Sequence, residues 1–246
     1  MADAIEPSDA AAEAPRPAWV IASLAATQRD AGRVSVKLRD PAKPNRKPKF
    51  LAAIADASRD TLGLQIGMPV TPALEARILE DADRDKALKS ALARIGRRDM
   101  SAGMLRQRLR KAGYADPDID HALAWLDERG LIDEAAFADA VIREATRGKP
   151  AGEVLLRQKL REKFISDDAI AAALIRNRPE RDALQDAADT FARQQARQMH
   201  RLAPDVRRRR LYGRLARRGF SPDVVRAAME AADADAAGAA GDAEPI

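Results

Sequence analysis

Along most of the chain, apolar residues recur three and four positions apart, the spacing of one face of an α-helix, and the pattern returns at a period of roughly fifty residues. The window from Leu105 to Leu123 (LRQRLRKAGYADPDIDHAL) aligns without a gap on Leu156 to Leu174 (LRQKLREKFISDDAIAAAL) and on Leu211 to Met229 (LYGRLARRGFSPDVVRAAM). The same places are apolar in every copy: Leu105, Leu156 and Leu211; Leu109, Leu160 and Leu215; Ile119, Ile170 and Val225; Leu123, Leu174 and Met229. Self-similarity of this kind marks an array of small units that complete their burial by stacking.

Helix punctuation divides each unit into three helices. In the first, Leu88, Leu92 and Ile95 share a face, Ser101 caps a second helix that reaches Ala112 and stops at Gly113, and Asp116 with Pro117 opens a third that ends at Gly130. In the second, Asp133 leads into Phe137, Val141 and Ile142, a helix follows from about Gly152 to Lys163, and Ser166 opens another through Ile170 and Leu174. In the third, Pro179 opens a helix through Met199, Asp205 caps one through Arg218, and Ser221 with Pro222 opens the last.

Upstream the period changes. Arg33-Val34-Ser35-Val36-Lys37-Leu38 alternates with period two, a strand signal, bounded by Gly32 and by the turn-rich Asp40-Pro41-Ala42-Lys43-Pro44-Asn45. Trp19-Val20-Ile21 is a candidate partner, Phe50 onward supplies a third strand or a short helix through Ala57, and Leu62 to Val70 closes the module. Thr71 and Pro72 then mark a helix start. The expected fold is therefore mainly α, three tandem three-helix repeats preceded by a small β-containing domain. Its parts are a disordered tail over 1–17, the β-containing domain over 18–70, a connecting helix over 71–85, repeats over 86–130, 131–177 and 178–232, and a disordered tail over 233–246.

Composition sharpens this by exclusion. With 33% charged and 4% aromatic residues the chain has the make-up of solvated helices. It has no cysteine, so no disulfide and no thiolate metal site. No apolar run approaches the roughly 20 residues that cross a bilayer, and the acidic, proline-bearing start does not resemble a signal peptide. A cytoplasmic monomer is expected. His121 and His200 stand in no metal-ligand spacing, and no glycine loop of phosphate-binding pattern is present. An enzyme is not expected, nor a cofactor or metal.

The net charge of +5 is mild, but its distribution is not. On the second helix of the first unit, Arg108 flanks the stripe formed by Leu105, Leu109 and Ala112, and Lys159 and Arg214 occupy the aligned positions. Arg106 and Arg110 stand one turn apart, matched by Arg157 and Arg161. In the third unit Arg210, Arg214 and Arg217 form a stripe, extended by Arg207, Arg208 and Arg209. A basic helix face is often plain solvated surface, but like charges packed on one turn repel by a few tenths of a kcal/mol per pair, and a polyanion or an acidic protein surface relieves that repulsion. These twelve residues are the candidate binding surface. Tyr114, Phe164 and Phe220 fall at or beside turns, so base stacking and base-specific readout are not expected.

Taken with Arg97-Arg98-Asp99-Met100-Ser101, the stretch Trp125 to Glu134 (WLDERGLIDE) followed by Phe137-Ala138, and Arg217-Arg218-Gly219-Phe220, the region from about 84 to 231 resembles the RecX regulatory proteins, modulators of the bacterial RecA recombinase. The resemblance implies an elongated, curved array lying in the groove of the RecA filament on single-stranded DNA. There it would restrain ATP hydrolysis, strand exchange and co-protease activity in DNA repair and the SOS response, without a catalytic residue. The alternative is a general nucleic-acid-binding helical repeat acting without the recombinase. One departure concerns Phe164, which stands where the other units have Gly113 and Gly219. A non-glycine residue in a left-handed cap costs about 1 kcal/mol, so that helix is expected to end differently.

Overall fold

The structure is a computed structural model and describes residues 19–27 and 30–241; the tail expected over 1–17 lies outside them. Two bodies are distinguished: residues up to Ser90 together with Tyr114–Ala122, and Ala91–Gly113 together with Leu123 onward.

In the first body the period-two segment is the centre of a three-stranded antiparallel sheet in the order β1 (Val20–Thr27), β2 (Asp30–Arg39), β3 (Lys49–Ala55). Val34, Val36 and Leu38 are buried while Lys37 is exposed, as alternation requires. Ile21 pairs with Leu38, and Val34 with Ile54. The segment from Phe50 forms strand and helix in succession, β3 running directly into α1 (Asp56–Thr61). The Leu62–Val70 segment then covers the outer edge of β1: Ile21 N donates to Met68 O (2.9 Å) and Val70 N to Trp19 O (2.6 Å). An edge that would otherwise template aggregation is thereby paired.

Thr71 accepts from Leu74 N (3.2 Å) and starts α2 (Pro72–Ile95), one continuous helix through the connecting segment into the first repeat. Ile78 and Ala82 on α2 complete the sheet's core with Ile21, Val36, Leu38, Ala52, Ile54, Leu64 and Val70. An ion pair tethers helix to sheet: Arg33 Nε stands 2.6 Å from Asp85 Oδ2, off the line of a straight hydrogen bond, while Arg33 Nη2 donates to Ala53 O (2.6 Å). Further along α2 the fully buried positions are Ala87 and Ala91, and Leu88, Leu92 and Ile95 flank them half-buried, so the inward face lies beside the leucine register.

The remaining helices are α3 (Ala102–Lys111), α4 (Asp116–Asp127), α5 (Glu134–Thr146), α6 (Glu153–Glu162), α7 (Asp167–Arg176), α8 (Arg181–Gln198), α9 (Pro204–Arg217) and α10 (Pro222–Gly241). The last continues into the Ala-rich stretch where composition alone expects a tail; residues 242–246 lie outside the described residues. Side-chain caps stand where the sequence places them at Ser101, Asp133 and Ser166, which accept from Met104 N, Ala136 N and Ala169 N. Asp205 is not a cap: Ala203 holds that position without a side-chain bond, Pro204 is the first helical residue, and Asp205 lies in the first turn. Of the twelve aligned apolar residues all are buried except Leu174, which is half-buried. Ala112 is exposed because the helix has already ended beneath it.

Within the second body the repeats meet through their second helices, and they meet the same way twice. At the start of α3, Ser101 Oγ donates to Lys163 O at the end of α6 (2.5 Å). At the start of α6, Gly152 N and Val154 N donate to Arg218 O (2.8 Å) and Gly219 O (3.2 Å) at the end of α9. Each junction brings the start of one second helix to the end carbonyls of the next, through the Ser101 hydroxyl in the first case and through backbone N–H groups in the second. The approach is close. A β-carbon on Gly103 would collide with the Phe164 carbonyl, and one on Gly152 with the Gly219 carbonyl.

Phe164 corrects the expectation set by its neighbours. Its φ is +53°, beside +89° at Gly113 and +76° at Gly219, so α6 ends in the same left-handed turn as its counterparts. The carbonyl alignment demanded by the junction with α3 overrides the local cost.

Candidate functional site

The twelve candidate cations do not form one surface of uniform character. In the second unit each is neutralised locally: Arg157 by Glu153 (2.7 Å), Lys159 by Glu162 (2.8 Å), Arg161 by Asp167 (3.2 Å). The Lys159 ammonium, donating to Glu162, is the first cause holding that carboxyl below its ordinary range, with a second bond from Gln158 adding to it. In the first unit Arg106 and Arg108 are half-buried and Arg110 is exposed.

The third unit differs. Arg214 is half-buried and donates to Gln195 Oε1 on α8, which places it in the packing between two helices. Among the described residues, Arg207, Arg208, Arg209, Arg210 and Arg217 have no ion-pair partner. Alignment explains where they stand. Arg207 is the counterpart of Ser101 and Gly152, the residues that receive a neighbouring helix end. In α9 that N–H is already spent on Ala203 O (2.9 Å), because the helix begins one turn earlier. The extra turn takes the place of a junction and carries Arg207; Arg208, Arg209 and Arg210 follow it where the other second helices begin.

Two residues outside the twelve matter as much. Arg218 donates Nε to Pro150 O (2.7 Å) and Nη2 to Lys149 O (2.7 Å) and Ala145 O (3.3 Å), so its guanidinium gathers carbonyls from the last turn of α5 and the loop after it. Burial lowers its pKa from the ordinary arginine value. Tyr212 is 54% exposed and shares an open groove with Asp205, Arg208, Arg209 and Met229. The signal for Arg218 was present in the Arg217-Arg218-Gly219-Phe220 run. For Tyr212 the signal was its place between arginines on an outward face, which a search confined to the turns does not reach. Among the described residues no group of His, Asp or Glu is placed to hold a metal ion, and no helix is long and apolar enough to cross a membrane.

The junction that carries the resemblance is also built. Arg129 lies over the Trp125 ring, 3.9 Å from its centroid, Gly130 turns the chain at φ +61°, and Asp133 caps α5. Family models of the first, second and third three-helix domains of RecX match residues 87–126, 133–174 and 182–229. The chain belongs to the RecX family. Curated relatives include the regulatory protein RecX of Prosthecochloris aestuarii, 32% identical over 62% of this chain and 97% of that protein. The regulatory protein RecX of Halorhodospira halophila is 36% identical over 65% and 94%. A crystal structure of regulatory protein RecX superposes on 84% of this RecX-family chain and 96% of its own, with a TM-score of 0.67 at 21% identity. The crystal structure of RecX from Lactobacillus salivarius gives 0.53 over 61% and 97%, at 20% identity. At those identities the superpositions speak for the fold.

Proposed function

We propose that this RecX-family protein is a regulator without chemistry of its own, which binds the filament formed by the RecA recombinase on single-stranded DNA and restrains it. The observation that carries the reading is that all three helical units belong to a family of regulatory proteins. The unpaired arginines of the third unit support contact with an anionic surface, since a partner of opposite charge relieves their mutual repulsion. On this reading the protein works as a cytoplasmic monomer in DNA repair and the SOS response. The second-unit cations, tied to their own acids, contribute less than those of the third.

The test is the single-stranded-DNA-dependent ATPase rate of the cognate recombinase, titrated with this protein. A fall at ratios well below one per recombinase subunit is expected. No change until the protein is abundant enough to coat the DNA favours the second reading, a plain nucleic-acid binder. That reading draws on the same arginines and predicts affinity that falls steeply with salt.

A further inference from the structure

The third unit buries two of its aromatic residues, Phe191 and Phe220, and leaves Tyr212 outside. Tyr212 lies one turn beyond Arg208 and Arg209 on α9, and the three face a groove of about 350 Å³ floored by the nearly buried Met229 of α10. Neither arginine has an ion-pair partner among the described residues, the groove's own Asp205 included. In the other two units the position aligned with Tyr212 is arginine, Arg106 and Arg157, so this combination belongs to the third alone.

We propose that this groove is a subsite for one unpaired nucleobase and its flanking phosphates, the base stacking on Tyr212 and the phosphates meeting Arg208 and Arg209. An exposed aromatic ring beside unpaired cations is the arrangement that holds single strands without regard to sequence, since every base offers a π-face. The arginines supply the phosphate contacts and, through their planar guanidinium groups, further stacking. Asp205, at the start of the helix, repels phosphate from that end of the groove. An acidic protein surface would need the cations but not the ring, and Met229 would give it little apolar area. The inference deepens the filament reading and rests on it only in that the filament presents single-stranded DNA.

The experiment compares a labelled oligothymidylate with an abasic strand of the same length and charge by fluorescence anisotropy. The proteins are the full chain, Tyr212→Ala and Tyr212→Phe, each checked for native melting. The full chain is expected to prefer the thymidylate by about fivefold or more, Tyr212→Ala to bind both strands alike, and Tyr212→Phe to keep the preference. Equal binding of both strands by the full chain, or a preference that survives in Tyr212→Ala, overturns the proposal. So does displacement of the thymidylate by polyglutamate as effectively as by unlabelled thymidylate. The recombinase ATPase titration separates this from the filament reading. A lost base preference in Tyr212→Ala, with an ATPase rate untouched by the full chain, supports the subsite and removes the filament. The converse result removes the subsite alone.

Discussion

At Phe164 a local rule is broken for a neighbour's sake: the left-handed turn is held because Lys163 and Phe164 must turn their carbonyls toward the start of α3. The glycines opposite show the same constraint as space. Gly152 has φ −81°, which any residue adopts, so Gly152→Ala isolates the steric cost of the junction; a loss of about 1–3 kcal/mol in urea unfolding is expected. Asp139 offers a different check. Its carboxylate accepts from Arg176 Nη2 (3.0 Å) and Asn177 Nδ2 (2.7 Å), tying α5 to the end of α7, and Arg176 is the first cause of its lowered pKa. A carboxyl with a lowered folded-state pKa stabilises above the ordinary carboxylate range, and that contribution is lost as the pH falls through the folded value. Asp139→Asn should therefore cost about 1 kcal/mol at pH 7, a difference that begins to shrink as the pH falls below about 4 and is gone once it has passed the lowered folded-state value, as read by melts across that range. These residues were hard to see in the sequence because their partners lie 37 or more positions away.

At the scale of elements, helix identities and most caps were legible, since a cap depends on residues within one turn. Leu160, fully buried in the middle unit among Val141, Ile142, Leu156 and Ile170, is the simplest probe of the periodicity. Leu160→Ala should cost about 2–5 kcal/mol, and Leu160→Asp should unfold the unit, both read by circular dichroism melts. Helix α8 begins at Arg181, with Glu180 before it, rather than at Pro179, and α9 begins before Asp205, with proline at its first position and an uncapped Ala203. Arg218, at the other end, binds the second unit to the third through three carbonyls. Arg218→Ala should lower stability by about 2 kcal/mol, and Arg218→Lys should recover little, since a lysine cannot reach three acceptors as a planar fork does.

For the molecule as a whole, the candidate surface resolves into cations that are already paired and cations that are not. The sequence placed Arg157, Lys159 and Arg161 on one candidate surface with Arg207 to Arg210 and favoured the latter, where few acids lie nearby; in the structure the first three are paired with acids and the last four have no ion-pair partner among the described residues. Replacing Arg207, Arg208, Arg209 and Arg210 together by alanine should reduce the salt dependence of single-stranded DNA binding, lowering the slope of log K against log salt by about 2 to 3. Replacing Arg157, Lys159 and Arg161 should change it little. Equal effects from the two sets would show that local pairing does not decide which cations a polyanion meets.

By itself the sequence determined the number of units, the inward face of their second helices, most helix starts and the central strand, because each follows from periodicity or from chemistry within one turn. It also carried the family resemblance, through short runs whose residues act close together, such as Trp125 with Arg129. Only the tertiary structure decided that the second helices join end to end in the second body and that Phe164 takes a glycine's conformation. Those outcomes depend on groups brought together from distant parts of the chain, where one packed carbonyl or carboxylate outweighs a local preference.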